Sequence, residues 1–332
     1  MYINKFHQGS LSNNSFLVTG GAGFIGSNIV EYLMDHGAGF VRVLDNFSTG
    51  SLSNIKRYIG NPAFELIDGD ICNLHTCRTA LKGIQYVFHE AALGSVPRSI
   101  DDPITTNEVN ISGFLNMLVA SRDARAKMVY AASSSTYGDS TELPKREDNI
   151  GKPLSPYAIT KYVNELYAGI FSKVYGYNVV GLRYFNVFGP RQNPRGAYAA
   201  VIPLFVDAAL KGERPVINGD GHTSRDFTFV ENVVQANIKA AFAPNAGKHE
   251  VYNVACGESI SLNQLWEFIS SEVGVSIDPL YQPERKGDVK HSLADITKIC
   301  EAIGYQPVVT VREGIEKAVH WYAENSPIRI TA

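Results

Sequence analysis

Thr19-Gly20-Gly21-Ala22-Gly23-Phe24-Ile25-Gly26 stands between the apolar run Phe16-Leu17-Val18 and the helically spaced Ser27-Asn28-Ile29-Val30-Glu31-Tyr32-Leu33-Met34. A strand therefore runs into a glycine turn, and a helix leaves it. Glycines at 20, 23 and 26 let a pyrophosphate approach the main chain where the helix gathers its free N–H groups and the positive end of its dipole. Any α/β protein can use three glycines for a tight strand-to-helix turn, so the next strand is the discriminator. Val41-Arg42-Val43-Leu44 ends at Asp45, the distance at which a Rossmann unit places the acid that takes the adenosine ribose hydroxyls. A carboxylate there repels a 2′-phosphate, so the expected cofactor is NAD rather than NADP.

A chain of 332 residues, 45% of them hydrophobic, can bury a substantial core. Its 30 Lys and Arg against 33 Asp and Glu are dispersed and leave a net charge of −3, which gives no footprint for nucleic acid. No apolar stretch approaches the roughly 18–20 residues of a membrane span. The polar Met1–Gln8 lacks the apolar segment of a signal peptide, so a cytoplasmic chain is expected. Cys72, Cys77, Cys256 and Cys300 form no Cys-x-x-Cys pair and have no His at ligand spacing. Buried free thiols are expected, with no metal and no disulfide.

Short apolar strands alternate with amphipathic helices through the first half, the pattern of a parallel sheet covered on both faces. The strands are expected at Phe16–Thr19, Val41–Asp45, Phe64–Ile67, Tyr86–His89, Met128–Ser133 and Val179–Leu182, the helices at Phe24–His36, Thr76–Leu81, Thr106–Arg122 and Pro156–Tyr175. The fold class is α/β: a doubly wound parallel Rossmann sheet with a smaller C-terminal α/β substrate domain. Residues 1–189 are expected to form the NAD-binding domain, with a partial return of the chain at about 216–243. Residues 190–332 are left for the substrate, with helices at Ala199–Lys211, Ser261–Val273 and Val311–Glu324.

Ser155-Pro156-Tyr157-Ala158-Ile159-Thr160-Lys161 opens a helix, with Ser155 suited to the N-cap and Pro156 to the first turn. Tyr157 and Lys161, four residues apart, share a face. The lysine charge is expected to lower the phenol pKa so that Tyr157 takes and returns a proton near neutral pH. An isolated Tyr-x-x-x-Lys would be an ordinary aromatic beside a solvated lysine. This one follows the serine cluster Ser133-Ser134-Ser135 at a strand's carboxyl end, where open α/β sheets bind ligands. Ser133, Tyr157 and Lys161 are thus the expected catalytic set.

These motifs resemble those of the extended short-chain dehydrogenase/reductases, and among them the UDP-sugar 4-epimerases of the UDP-galactose 4-epimerase type. The likeness runs from about Ser15 to Trp321 and adds His89-Glu90-Ala91-Ala92, Arg183–Pro190, Ser224-Arg225-Asp226-Phe227 and Arg285-Lys286-Gly287-Asp288. It implies a cofactor site built from Gly20, Gly23, Phe24, Ile25 and Gly26, with Asp45, Asn46, Ser48, Thr49 and Gly50 after the second strand. Asp70 and Ile71 are implied near the adenine, and Ala91, Ala92 and Leu93 along the cofactor. Asn110 is implied as a steadying asparagine, and Tyr157, Lys161, Tyr184 and Val187 complete the set. For the UDP-sugar it implies Gly94, Ser95, Ser133, Ser134, Ser135, Tyr157 and Asn186. Ala200, Val201 and Ile202 line the uracil, with Val216 and Asn218 at its edge. Arg225 and Arg285 clamp the diphosphate, and Asp288 takes the uridine ribose. Phe229-Val230-Glu231-Asn232 departs from the His-Val-x-Asp often found there. A homodimer through Thr106–Arg122 and Pro156–Tyr175 is implied as well.

The activity so implied is reversible C4 epimerisation through a 4-keto sugar and enzyme-bound NADH. Ser292 occupies the position where epimerases confined to UDP-Glc and UDP-Gal resemble one another in carrying tyrosine. A small residue there, together with the likeness of Ala91–Ser99 and Ser133–Gly138 to UDP-GlcNAc 4-epimerases of bacterial surface-polysaccharide pathways, favours N-acetylated sugars. Two alternatives stand: a nucleotide-sugar 4,6-dehydratase or decarboxylase, and a non-catalytic NAD-sensing protein. Dehydratases follow their catalytic Ser/Thr with acidic residues, and Ser134 and Ser135 stand there instead.

Overall fold

The computed structural model describes residues 2–193, 200–244, 248–284 and 290–325. Seven parallel strands form one sheet: β1 Ser15–Thr19, β2 Phe40–Asp45, β3 Phe64–Asp68, β4 Tyr86–His89, β5 Lys127–Ser133, β6 Val179–Tyr184 and β7 His249–Val254. Their order, β7-β6-β5-β4-β1-β2-β3, reverses direction beside β1, and the carboxyl ends there open a crevice for a ligand. All six residues of β6 are buried, as expected for a strand covered on both faces.

The six strands expected from the sequence form within a residue or two of their predicted ends. The seventh was not foreseen. The chain's expected return at about 216–243 goes on into β7, whose Asn253 pairs with Arg183 of β6. Its sequence His-Glu-Val-Tyr-Asn-Val has neither a continuous apolar run nor clean alternation, because an edge strand is half-covered at its start and buried only in its last three residues.

Helix α1 (Phe24–Asp35) packs beside Val230–Phe242 on one face, over a core that includes Phe16, Val18, Ile29 and Val233. On the other face lie Leu74–Ala80, the segment Pro103–Asp123, and the 20-residue helix α2 (Pro156–Tyr175), over Leu17, Val87, Met117 and Met128. The single helix expected over 106–122 is interrupted by a π-helical turn at Glu108–Gly113. Such a turn is defined by i→i+5 backbone bonds, which the choice of side chains does not announce. Here it brings Asn110, 2% exposed, inward to α2.

A second core lies beyond β6. Val201–Lys211, Leu262–Val273 and Val311–Asn325 enclose Phe205, Trp266 and Ile315, with the Phe205 and Trp266 rings edge-to-face at 5.9 Å. Ser224–Arg225 pairs antiparallel with Ile260–Ser261, and Val216–Asn218 pairs parallel with Leu280–Gln282. The four cysteines are free thiols; Cys77 is buried and the others are partly covered.

Candidate active site

A cavity of about 540 Å³ runs along the carboxyl ends of β1, β2, β4, β5 and β6. Its floor is the glycine turn. Gly20 adopts φ +66°, and a β-carbon on it would meet the Ala91 nitrogen at 2.8 Å. One on Gly26 would stand 2.2 Å from the Gly20 carbonyl oxygen. Both approaches need glycine, and they hold α1 against the turn. Gly23 caps α1 without any side-chain hydrogen bond, so the first turn (Phe24, Ile25, Gly26) presents main chain to the cavity. That is a cradle for a pyrophosphate.

Asp45 Oδ2 accepts from the Ala22 amide at 2.9 Å and Oδ1 from the Phe47 amide at 2.8 Å. Each oxygen keeps lone-pair capacity for a ribose hydroxyl. Burial raises the Asp45 pKa and the two amide bonds oppose the rise. Asn46 Nδ2 donates to Asp70 Oδ2 at 2.9 Å, fixing the acid beside Ile71. Burial raises the Asp70 pKa as well, but the bonds from Cys72 and Asn46 outweigh it and the net shift is downward.

At the other end of the cavity stand Ser133, Tyr157 and Lys161. Ser133 closes β5, and its Oγ accepts from the Ser135 amide at 3.1 Å and the Ser135 hydroxyl at 2.9 Å. α2 starts as its sequence requires: Ser155 accepts from the Ala158 amide, Pro156 sits in the first turn, and Gly176 closes the helix at φ 62°. The Tyr157 amide donates to Ser99 Oγ at 3.0 Å. Lys161 Nζ donates to the Ala131 carbonyl at 2.8 Å and lies 6.0 Å from the Tyr157 ring centre.

The expected lowering of the phenol pKa by the lysine is not what this geometry does. Burial raises the Tyr157 pKa, and the opposing influence is the Ser133 hydrogen bond. The Lys161 ammonium is itself pushed down to about 8 by burial, with Glu90 pulling it back up.

Of the residues expected at the cofactor, all but two line the cavity: Gly20, Gly23, Phe24, Ile25, Gly26, Asp45, Asn46, Ser48, Thr49, Asp70, Ile71, Ala91, Ala92, Leu93, Tyr157, Lys161, Tyr184 and Val187. Gly50 packs behind the turn, where a β-carbon would meet the Ala22 main chain at 2.9 Å. Asn110 sits behind the wall: its Oδ1 accepts from the Leu93 amide at 2.8 Å and its Nδ2 reaches Thr160 Oγ1 at 3.2 Å. It ties the cofactor loop to α2 rather than facing the cavity.

Gly94, Ser95, Ser134 and Asn186 also line the cavity, whereas Ser135 stands behind Ser133. The other expected sugar-nucleotide residues that the structure describes lie outside its walls. Ile202 is buried in the second core, Val201 packs against that core, and Ala200 is the exposed N-cap before them. Val216 and Asn218 lie on their short ladder. Arg225 Nη1 donates to the carbonyls of Ser224 and Lys290, and the Ser292 amide donates to the Ser224 carbonyl at 3.1 Å. Arg285 and Asp288 lie outside the described residues. Asn186, at φ 35°, donates to the Asp226 carbonyl at 3.0 Å and so joins the cavity to this second region.

Sequence reasoning gave Glu90 and Gln192 no role, yet both line the cavity. Glu90 Oε1 accepts from Tyr184 Oη at 2.9 Å, and burial pushes its pKa up to about 7 against that bond and Lys161. The available signal was its position directly after a strand, where this class of sheet binds ligands. Among the described residues no cluster of His, Cys, Asp and Glu is built to hold a metal ion, and no helix is long and apolar enough to cross a membrane.

A dinucleotide cradle at one end and a Ser–Tyr–Lys set at the other define a Rossmann enzyme site for redox and proton transfer on a bound substrate. The chain belongs to the NAD dependent epimerase/dehydratase family, whose model matches residues 16–255. Its cofactor is NAD, which the glycine cradle and Asp45 fit. A putative UDP-glucose 4-epimerase of Methanocaldococcus jannaschii is 37% identical, covering 93% of this chain and 99% of its own. The UDP-N-acetylglucosamine 4-epimerase of Methanobrevibacter ruminantium, solved with UDP-N-acetylmuramic acid, superposes with a TM-score of 0.89 at 40% identity over 94% of this chain and 98% of that one. The UDP-glucose 4-epimerase of Thermotoga maritima, solved with UDP-glucose, gives 0.87 at 36% over 93% and 99%. A dTDP-glucose 4,6-dehydratase of Streptomyces venezuelae shares the fold at 0.86 and 29% identity, over 94% and 97%.

Proposed function

We propose that the protein interconverts UDP-hexoses at C4, preferring UDP-GlcNAc and UDP-GalNAc over UDP-Glc and UDP-Gal. The observation that carries the epimerase reading is the Ser133–Tyr157–Lys161 set with Ser134 and Ser135, not carboxyls, beside the reacting serine. Elimination at C5–C6 needs an acid and a base there. The carboxyl that does line this end, Glu90, follows β4 and is engaged by Tyr184. An intact catalytic set also disfavours a non-catalytic NAD-sensing role.

When bound, NAD supplies reversible two-electron oxidation of the sugar C4. Tyr157 removes the proton of the 4-hydroxyl and later returns one to the same oxygen, once the ketone has been reduced from its opposite face. Ser133 hydrogen-bonds the reacting oxygen and the phenol, pulling the phenol pKa down against burial, and Lys161 would hold the nicotinamide ribose. Residues 1–189, with the chain's return, hold the cofactor, while 190–332 hold UDP. Arg225 and Arg285 grip the diphosphate, and Asp288 takes the ribose. The pyranose is held more weakly, so the flat ketone can turn before reduction. A homodimer fits the exposed Ile159, Leu166, Ile170 and Val174 along α2 and the exposed Ile100 and Ile104 nearby in the fold.

Ser292 supports the N-acetyl preference: it is small, half-buried and joined to Ser224 next to Arg225. The four UDP-sugars are incubated singly with the purified protein, without added cofactor, and followed by NMR of the anomeric proton. UDP-GlcNAc and UDP-GalNAc should interconvert fastest. Ser292→Tyr should abolish that activity and spare the plain hexoses; parental rates on the N-acetylated pair would refute the assignment.

A further inference from the structure

Glu90 has no part in the proton transfer assigned above, yet among the described residues it is the one carboxyl at the catalytic end of the cavity. The sheet places it there. It is the first residue after β4, and Tyr184 ends β6, two strands away in the order. Tyr184 Oη donates to Glu90 Oε1 at 2.9 Å and accepts from Asn237 Nδ2 at 2.8 Å, so the carboxyl is gripped from across β5. The titratable groups around it are Tyr184 from β6, Lys161 and Tyr157 from α2, and its chain neighbour His89.

A nicotinamide that exchanges electrons with a sugar held at Tyr157 must lie at this end, and its ring is positively charged only when oxidised. We infer that the Glu90 carboxylate biases the bound dinucleotide toward its oxidised form, returning the enzyme to the state that accepts the next sugar. This rests on the redox reading proposed above. The field argument has two parts. A nearby anion favours a cation on the ring, and Lys161, anchored on the Ala131 carbonyl at 2.8 Å, disfavours it. Removing the Glu90 charge takes away the first part and leaves the second, so the balance moves toward the reduced form.

Glutamine at 90 keeps the side-chain length and an oxygen to accept from Tyr184, and loses only the charge. Holoenzyme is equilibrated with a fixed mixture of NADH and NAD and stripped of free cofactor by rapid filtration. The bound ratio is then read from the absorbance and fluorescence of reduced nicotinamide. In Glu90→Gln the bound NADH:NAD ratio at about pH 7.5 should rise about threefold or more, while Glu90→Asp stays close to the parent. The pH dependence offers a second measurement. His89, pushed down to about 3, stays neutral, and the raised phenols of Tyr157 and Tyr184 stay protonated. Between about pH 7.5 and 5.5 Glu90, at about 7, loses its charge while Lys161, at about 8, gains the remainder of its own, and both changes disfavour a cationic ring. Lowering the pH from about 7.5 to 5.5 should raise the parent's bound ratio relative to the free mixture, and should raise it less in Glu90→Gln, where Lys161 is left as the titrating group. An unchanged ratio in Glu90→Gln, or a parent ratio that responds to pH no more than the variant's, overturns the inference. No sugar enters the measurement, so a chain that epimerised nothing would still show the bias, and a missing bias would leave the epimerase reading standing.

Discussion

Tyr157→Phe removes one oxygen from the site and leaves the ring. That oxygen's partner is the Ser133 hydroxyl, while the Ser155 cap and the 3.0 Å bond from the Tyr157 amide to Ser99 involve no phenol atom. The helix therefore keeps its start and the cavity its shape, and what disappears is proton transfer. A positioned acid–base group contributes on the order of 10²–10⁴ in rate. That corresponds to about 2.7–5.4 kcal/mol of barrier at about 1.36 kcal/mol per decade. The upper half of the range applies, because the other titratable groups at this end are engaged elsewhere: Glu90 with Tyr184 and Lys161 with the Ala131 carbonyl. In the NMR assay kcat should fall about 10³–10⁴-fold, while calorimetric affinity for UDP stays near the parent. A fall of less than about tenfold, or equal losses in UDP binding and turnover, would refute the role. The pH profile gives an independent sign. Burial raises the phenol pKa and Ser133 pulls it down, so kcat climbs with pH as phenolate forms. Ser133→Ala removes the downward pull and should move the rising limb to higher pH.

Gly26→Ala puts a β-carbon 2.2 Å from the Gly20 carbonyl oxygen, so the turn must open. The purified variant should carry little NAD, measured by absorbance of its denatured extract, and a full complement would sink the cradle argument. Glu165→Leu should cost about 3–5 kcal/mol in denaturant unfolding. It strands Arg183, whose Nε and Nη2 are paired with the carboxylate at 2.8 and 2.7 Å, with both side chains under a tenth exposed. A loss below about 1 kcal/mol would mean the core readily accommodates the lone guanidinium. Leu166→Glu combined with Ile170→Glu charges the exposed face of α2, where the two residues are 51% and 54% accessible. If the proposed dimer forms through this face, light scattering should report half the parent's mass; an unchanged mass would refute that interface.

The glycine turn was legible because its constraint is local: the carbonyl of Gly20 and the α-carbon of Gly26 are six residues apart, and glycine is what fits between them. Ser155, Pro156 and Tyr157 were legible for the same reason, since a cap and a first turn are settled by adjacent residues. Legibility failed where a residue's meaning depends on strands far away in the chain. Glu90 as text is a solvated acid after a strand; it becomes a buried carboxyl because β5 and β6 bring Tyr184, 94 positions on, against it. β7 was missed because an edge strand needs one neighbour and one buried half, and that neighbour, β6, lies some seventy residues upstream. The Lys161 expectation failed in a different way. Four-residue spacing put it on the right face of α2, but spacing cannot say how far burial depletes an ammonium or which carbonyl it takes. The same distinction divides the site itself. Its dinucleotide end is written in contiguous motifs, whereas its sugar end depends on contacts such as Asn186 with Asp226 and Ser292 with Ser224. Substrate preference is the property most exposed to such distant contacts, and the single substitution at Ser292 is therefore a sharper test of it than any motif.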